Sequence, residues 1–250
     1  MEIHLLKQLN HPNIAKLYNV ICGQEEIYLV LELVQGCTLM DKMKKYRVVP
    51  EQTAMMWMSQ ISSAVSYIHN KHIIHRDIKP ENLMVDCFGN IKLIDFGLGD
   101  QHNITNLHGI SGTVTCGSSE MLNPRTTYDG MQNDVWSLGV LLYIMVTGEH
   151  PFDPDVSGRV GNKMNKTAYG QWLYEELIKK TVSCNFHIPE YVTPECQDLI
   201  RRCLMNRYNR ISSSQIKYHS WFQSRRDQIF RVNSRCQAIS SSKSPLCKFT

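Results

Sequence analysis

No stretch of this chain approaches the roughly 20 consecutive apolar residues that a bilayer-spanning helix needs. The opening residues, Met1-Glu2-Ile3-His4, lack a basic segment followed by a long apolar one, so no secretory leader is expected there. Nine cysteines are present without a single CxxC pair. An odd count without that spacing argues against a disulfide framework or a zinc site, and for a reducing compartment. In such a compartment the acceptor patterns Asn103-Ile104-Thr105 and Asn165-Lys166-Thr167 are chance matches. No internal repeat is visible.

What is present is ordinary for a soluble globular chain of 250 residues, 42% hydrophobic and 20% charged. Its charge is unevenly placed. Residues 222–250 hold six Lys and Arg (Arg225, Arg226, Arg231, Arg235, Lys243, Lys248) and one acid, Asp227. They carry +5, so the remainder is −1 against the whole chain's +4. The expected reading of this Ser-rich tail is a solvated, disordered extension; a nucleic-acid or membrane surface is the alternative, and no nucleic-acid partner is expected.

Periodicity divides the rest. Ile3, Leu5, Leu6 and Leu9 share one side of a helix, which Asn10-His11-Pro12-Asn13 stops. Apolar, β-branched runs over 14–21 and 26–34 flank Cys22-Gly23-Gln24-Glu25, a hairpin signal. Gly36 marks a bend, and 39–46 reads as a short helix. A long helix is predicted from about Pro50 to His69, with Pro50 at its first position. Its buried stripe is Ala54, Trp57, Met58, Ile61, Ala64, Val65 and Ile68. Two short strands, 83–85 and 91–94, flank a turn. Residues 134–147 are apolar on all sides, the mark of a helix in the middle of a domain, with Asp134 a good cap and Gly148 the stop. A polar surface insertion covers 154–169. Helices are expected over 171–180, 194–205 and 212–219, the last capped by Ser212.

The chemistry-bearing stretch is His75-Arg76-Asp77-Ile78-Lys79-Pro80-Glu81-Asn82, followed by Asp95-Phe96-Gly97. These blocks resemble the catalytic loop and magnesium-binding motif of protein kinases. The resemblance runs from near the first residue to about Phe222. Lys79 favours the Ser/Thr type. Phe186-His187-Ile188-Pro189, Pro194 to Leu199 and His219-Ser220-Trp221-Phe222 resemble the calcium/calmodulin- and AMP-activated-kinase-related group. The implied fold is α+β: a truncated small β-lobe (1–35) and a mainly helical large lobe (36–222), before the tail at 223–250. The implied activity is transfer of the ATP γ-phosphate to a Ser/Thr hydroxyl of a protein substrate, with Mg²⁺, in the cytoplasm or nucleus.

The resemblance assigns roles. Asp77 is the base or hydroxyl-orienting carboxylate, and Lys79 touches the moving phosphate. Asn82 and Asp95 give hard oxygen ligands to Mg²⁺. Leu31 gates the nucleotide pocket, Glu32 and Leu33 match the hinge, Met84 packs beneath the adenine, and Glu81 joins the nucleotide-binding set. Glu2 matches the helix acid that pairs with the ATP-binding lysine. Asp134 braces the catalytic loop, and Glu120 and Arg210 match a buried ion pair. Arg76 implies an upstream activating kinase, a phosphate on Thr113 or Thr115 being its partner. His75 reads as a packing and hydrogen-bonding residue.

Three departures accompany the match. The family's Gly-rich loop and strand lysine are not found, so Glu2 lacks its partner and a two-stranded ribbon with an exposed apolar edge is expected. Counted from Gly117, the segment to Glu120 is shorter than the family's and lacks its Pro-x-Tyr and Ala-Pro residues. Thr38 stands where an acid often binds the ribose. With Met1 as the start, transfer is expected to be weak, and a non-catalytic kinase-like scaffold is the alternative; an upstream Gly-rich strand and Val-Ala-x-Lys would imply an ordinary enzyme.

Overall fold

The computed structural model describes residues 1–123, 125–154 and 166–223. Most of the expected insertion and the basic tail beyond 223 lie outside them. The elements run α1 (Glu2–Gln8), β1 (Leu17–Cys22), β2 (Ile27–Leu31), β3 (Gly36–Thr38), α2 (Leu39–Tyr46), α3 (Glu51–Asn70), β4 (Leu83–Asp86), β5 (Ile91–Leu93), α4 (Ser119–Leu122), α5 (Gly130–Thr147), α6 (Lys166–Ser183), α7 (Pro194–Cys203) and α8 (Ser213–Ile216). Among the described residues all the strands lie before residue 94, with α1–α3 among them, and only helices follow, an α+β arrangement. Among the described residues no helix is long and apolar enough to cross a membrane.

α5 is the axis of the helical part. Fifteen of its 18 residues are buried, because apolar side chains occur on every face and α3 and α7 pack against it. Asp129 caps it, accepting the Gln132 N–H at 3.1 Å. Asp134 is therefore not the cap that its position suggested. The helix starts four residues earlier, and Asp134 lies inside its second turn with a different task. Gly148 closes the helix in the left-handed region, at φ 76°.

The strands form two antiparallel sheets, β1-β2 and β3-β4-β5. β3 is an addition to the sequence reading, which took Gly36 as a bend. Gly36 pairs with Asp86, and a Cβ there would lie 1.9 Å from the Val85 carbonyl oxygen. Only glycine permits that approach. Gly36→Ala is expected to lift β3 off β4 and to cost about 1–3 kcal/mol, read as a lower urea midpoint. Likewise Pro50 is the N-cap of α3 rather than its first residue, and α6 extends beyond the expected 171–180 at both ends.

The β1-β2 ribbon packs one side poorly. Tyr18, Ile21, Ile27 and Tyr28 are each more than half exposed. It is tied back to the rest by Lys92, whose Nζ reaches the Pro12 carbonyl at 2.7 Å and the Glu32 carboxylate at 3.0 Å. α1 belongs to the main core through Leu5, Leu6 and Leu9.

The cysteines divide sharply. Cys22 and Cys87 are exposed thiols, while Cys116, Cys196 and Cys203 are buried. Burial pushes Cys116 and Cys203 up to about 12, and Cys196 further still. Since the thiolate is the nucleophile, iodoacetamide at pH 8 should label Cys22 and Cys87 in the folded chain and spare those three. Mass spectrometry of the labelled peptides checks this.

Candidate functional site

The stretch 75–82 leaves α3 and runs through strained backbone before a 3-10 turn at Pro80–Asn82. Arg76 has φ 65° and Asp95 φ 61°. Non-glycine residues tolerate this only where surrounding contacts enforce it. For Arg76 the enforcing group is Asp134, wholly buried in α5. Its carboxylate accepts the His75 N–H at 2.9 Å and the Arg76 N–H at 2.8 Å. It also accepts His69 Nε2 at 2.9 Å, and the other nitrogen of that ring lies 2.8 Å from Ser213 Oγ in α8. A helix-borne carboxylate thus clamps the backbone just before Asp77.

His75 is fully buried. Its Nδ1 accepts the Asp77 N–H at 3.3 Å and its Nε2 faces the Ile94 carbonyl at 3.2 Å. Burial holds the imidazole below its usual pKa despite the Asp134 charge, so it is a neutral packing group against Phe96, ring centroids 4.8 Å apart.

Asp77 is the centre of the charged cluster. Its Oδ2 lies 2.8 Å from Lys79 Nζ and accepts Asn82 Nδ2 at 2.9 Å. Its Oδ1 accepts the Thr113 hydroxyl at 2.7 Å and the Thr113 N–H at 3.0 Å. Lys79 Nζ donates to the same hydroxyl at 2.8 Å. Burial pushes the Asp77 carboxyl up, but bonds from Lys79, Thr113 and Asn82 outweigh it and hold it below the usual carboxylate range. The β4-β5 hairpin brings Asp95 to this place: Leu83 pairs with Leu93, and Ile94 N–H bonds the Asn82 carbonyl at 3.0 Å.

Thr113 changes two expectations. Its hydroxyl is committed to Asp77 and Lys79, so a phosphate there would meet the Asp77 carboxylate. Arg76 is engaged elsewhere, donating to the Leu98 carbonyl at 2.6 Å and facing Asp100 at 3.8 Å. Thr113 is thus not placed as a partner for Arg76; Thr115 is exposed. Second, the glycine beside the catalytic loop is Gly112, not Gly117. Its φ is 82°, and a Cβ would lie 2.2 Å from the Arg76 carbonyl oxygen. Seven residues separate Gly112 from Glu120, so the segment counted from this glycine is longer than the one counted from Gly117, and it holds neither proline nor tyrosine.

Beside the cluster a cavity of about 390 Å³ is lined by Leu31, Glu32, Leu33, Met84, Asp95 and Glu2 among others. Four of the five residues expected to hold a nucleotide meet there. Glu81 is not among the lining residues and its side chain is exposed. Leu33 is 82% exposed. Among the described residues Glu2 has no hydrogen-bond or ion-pair partner. Thr38 caps α2, accepting the Asp41 N–H at 3.1 Å.

The donors fit a cation that arrives with phosphate. Asp95 Oδ1 accepts the Gly97 N–H at 3.0 Å, leaving its second oxygen free, and the Asn82 amide oxygen has no partner among the described residues. Among those residues no cluster of three or more His, Cys, Asp and Glu could hold a metal alone. One carboxylate and one amide suit Mg²⁺, which keeps waters and takes its other ligands from phosphate.

Glu120 and Arg210 meet as a bidentate pair at 2.6 and 3.1 Å. Burial pushes Glu120 up, and the Arg210 guanidinium more than offsets it, so the carboxyl sits low. A carboxyl depressed only in the folded state stabilises above its unfolded pKa, about 4.3 for Glu and 3.9 for Asp, and the benefit is lost as pH falls through the folded value. The urea midpoint should therefore drop between about pH 5 and pH 3, and Glu120→Gln should flatten that slope.

The sequence reading had not seen Thr113, His69 or Lys92 in these places. Only the spacing of Gly112-Thr113 to Glu120 offered a signal; His69 and Lys92 read as ordinary helix and strand residues.

A family model described as the protein kinase domain matches residues 1–222. The chain is 38% identical over 230 residues to serine/threonine-protein kinase MARK-A of Dictyostelium discoideum, covering 91% of this chain and 20% of that one. It is 39% identical to CBL-interacting protein kinase 1 of Oryza sativa subsp. japonica (89% and 45%) and 37% identical to serine/threonine-protein kinase SIK1 of Mus musculus (89% and 26%). It thus spans less than half the length of each. With that match over nearly the whole described chain, and with these relatives, the chain belongs to the protein kinase domain family, on its serine/threonine side.

Proposed function

We propose that this chain transfers the γ-phosphoryl group of ATP to Ser/Thr hydroxyls of a protein substrate. The observation that carries this is the convergence of Lys79 and Asn82 on Asp77, at 2.8 and 2.9 Å from its Oδ2, one strand-pair step from Asp95. Asp77 would orient the attacking hydroxyl and accept its proton. Lys79 would offset charge on the moving phosphoryl group, and electrostatic offset is the largest catalytic term in such reactions. Asn82 and Asp95 would hold Mg²⁺, which supplies charge neutralisation on the phosphate oxygens. Leu31, Glu32, Leu33 and Met84 would line the adenine side, and Glu2 is available for a cation. Asp134 would act as the brace behind the loop. An activating phosphate, if one is added, belongs on Thr115 rather than Thr113.

A second reading is a non-catalytic scaffold of the same fold. The exposed apolar side of the β1-β2 ribbon and the unpartnered Glu2 favour it. Titration of ATP and Mg²⁺ against thermal stability separates the two. Stabilisation that grows with ATP and needs the metal supports the enzyme reading. No shift at millimolar ATP-Mg²⁺ supports the scaffold.

A further inference from the structure

The segment from Thr113 to Ser119 reads Thr-Val-Thr-Cys-Gly-Ser-Ser. It holds no proline to stiffen it and one glycine to loosen it. Its shape must come from outside. Two ties come from α5: Ser137 Oγ donates to the Cys116 carbonyl at 2.8 Å, and Asn133 Oδ1 accepts the Ser118 N–H at 3.0 Å. The first holds the last residue of the turn and the second lies nearer Glu120. The end nearer the charged cluster has a different tie. His150, two residues after α5 stops, places Nε2 at 2.7 Å from the Thr115 carbonyl. The hydrogen-bond roles of that ring are fixed, because Phe152 N–H donates to Nδ1 at 3.2 Å. Nε2 must then carry the hydrogen and donate it to Thr115.

We propose that His150 is a positioning residue for the transfer site, holding the Thr115 carbonyl so that Thr113 stays on Asp77 and Lys79. The path is short. Thr115 lies in a 3-10 turn, Val114–Cys116, closed by Cys116 N–H to the Thr113 carbonyl at 3.0 Å and Gly117 N–H to the Val114 carbonyl at 3.1 Å. A turn closed at both ends moves as a unit. Fixing its middle carbonyl fixes Thr113, whose hydroxyl spans Asp77 Oδ1 and Lys79 Nζ at 2.7 and 2.8 Å. Without the imidazole, the turn swings from its α5 ties alone and the threonine leaves the carboxylate. The inference rests on the reading of Asp77 given above as regards catalysis, but the mechanical link stands on the contacts themselves.

The test uses the whole chain without nucleotide. His150→Leu removes the donor at similar volume; His150→Gln keeps an N–H of comparable reach. Amide hydrogen exchange at residues 113–118 should quicken about tenfold in His150→Leu, the loss of one hydrogen bond. α3 and α5 should keep their protection, and His150→Gln should restore most of the loss. An unchanged exchange rate, equal loosening of α3 and α5, or a glutamine variant that behaves as the leucine one would each overturn the proposal. None of these readouts needs phosphate transfer, so a chain that fails to transfer leaves this test intact.

Discussion

Asp77→Asn should lower phosphate transfer to a basic Ser/Thr peptide by about 10²–10⁴ and leave the fold standing. Asparagine has the shape of aspartate, so the contacts with Asn82 and Thr113 survive in part. What disappears is the proton acceptor and the negative charge that faces Lys79 at 2.8 Å. An amide neither takes the hydroxyl proton nor pulls the attacking oxygen into line. The measurement is incorporation of labelled phosphate by both proteins at saturating ATP-Mg²⁺, with far-ultraviolet circular dichroism as the fold control. Equal incorporation by the two proteins would remove Asp77 from the chemistry. Lys79→Met should act in the same direction, because the charge it removes is needed as the phosphoryl group moves.

The largest effect on stability is expected from Arg210→Met. The Arg210 side chain is wholly buried and Glu120 nearly so. The guanidinium also donates to the Gln132 carbonyl at 2.8 Å and the Met205 carbonyl at 2.8 Å, and lies 4.9 Å from the centre of the Trp136 ring. Methionine replaces the volume but strands a buried carboxylate and two carbonyls. Removing one partner of a buried pair costs about 3–5 kcal/mol, a large share of the 5–15 kcal/mol that holds a typical domain. Urea unfolding followed by tryptophan fluorescence checks it. The double variant Arg210→Met with Glu120→Leu should recover much of the loss, since no charge is then left unpaired. A cost below about 1 kcal/mol, the scale of exposed pairs, would show that water reaches the site.

These two expectations touch different parts of one arrangement. Asp134 and the Glu120–Arg210 pair both depend on α5, the helix buried on every side. The charged cluster is therefore braced by a helix with 15 of its 18 residues buried. The β1-β2 ribbon is the opposite case, with apolar side chains left in solvent and few ties. Lys92→Met should loosen it further at a modest cost, about 1 kcal/mol or less, because its ion pair with Glu32 is partly exposed; hydrogen exchange over 27–32 should register the change.

Much of this was legible in the residues. The block 75–82 is contiguous, so Asp77, Lys79 and Asn82 share a place for reasons of chain connectivity. The helices read at 39–46 and 194–205 are present, the second ending two residues sooner, at Cys203. The errors have physical sources as well. Three residues, 36–38, are too few to show a period of two, so β3 went unseen. Asp134 looked like a cap because polar Asn133 and Asp134 precede the apolar run, yet the helix begins at Gly130, behind an aspartate that caps better. Gly117 looked like the matching glycine; the backbone chose Gly112, where the Arg76 carbonyl leaves no room for a Cβ.

The sequence by itself determined the family, the chemistry available and the order of the elements, because those rest on local patterns and on residues close together in the chain. Tertiary structure alone decided distant meetings that the residues did not announce: His69 with Asp134, Thr113 with Asp77, His150 with Thr115. Such pairings are set by how helices and loops pack around α5, across separations of 35 residues or more. No local preference encodes a hydrogen bond at that range. Only the shared burial of the core brings its two ends together.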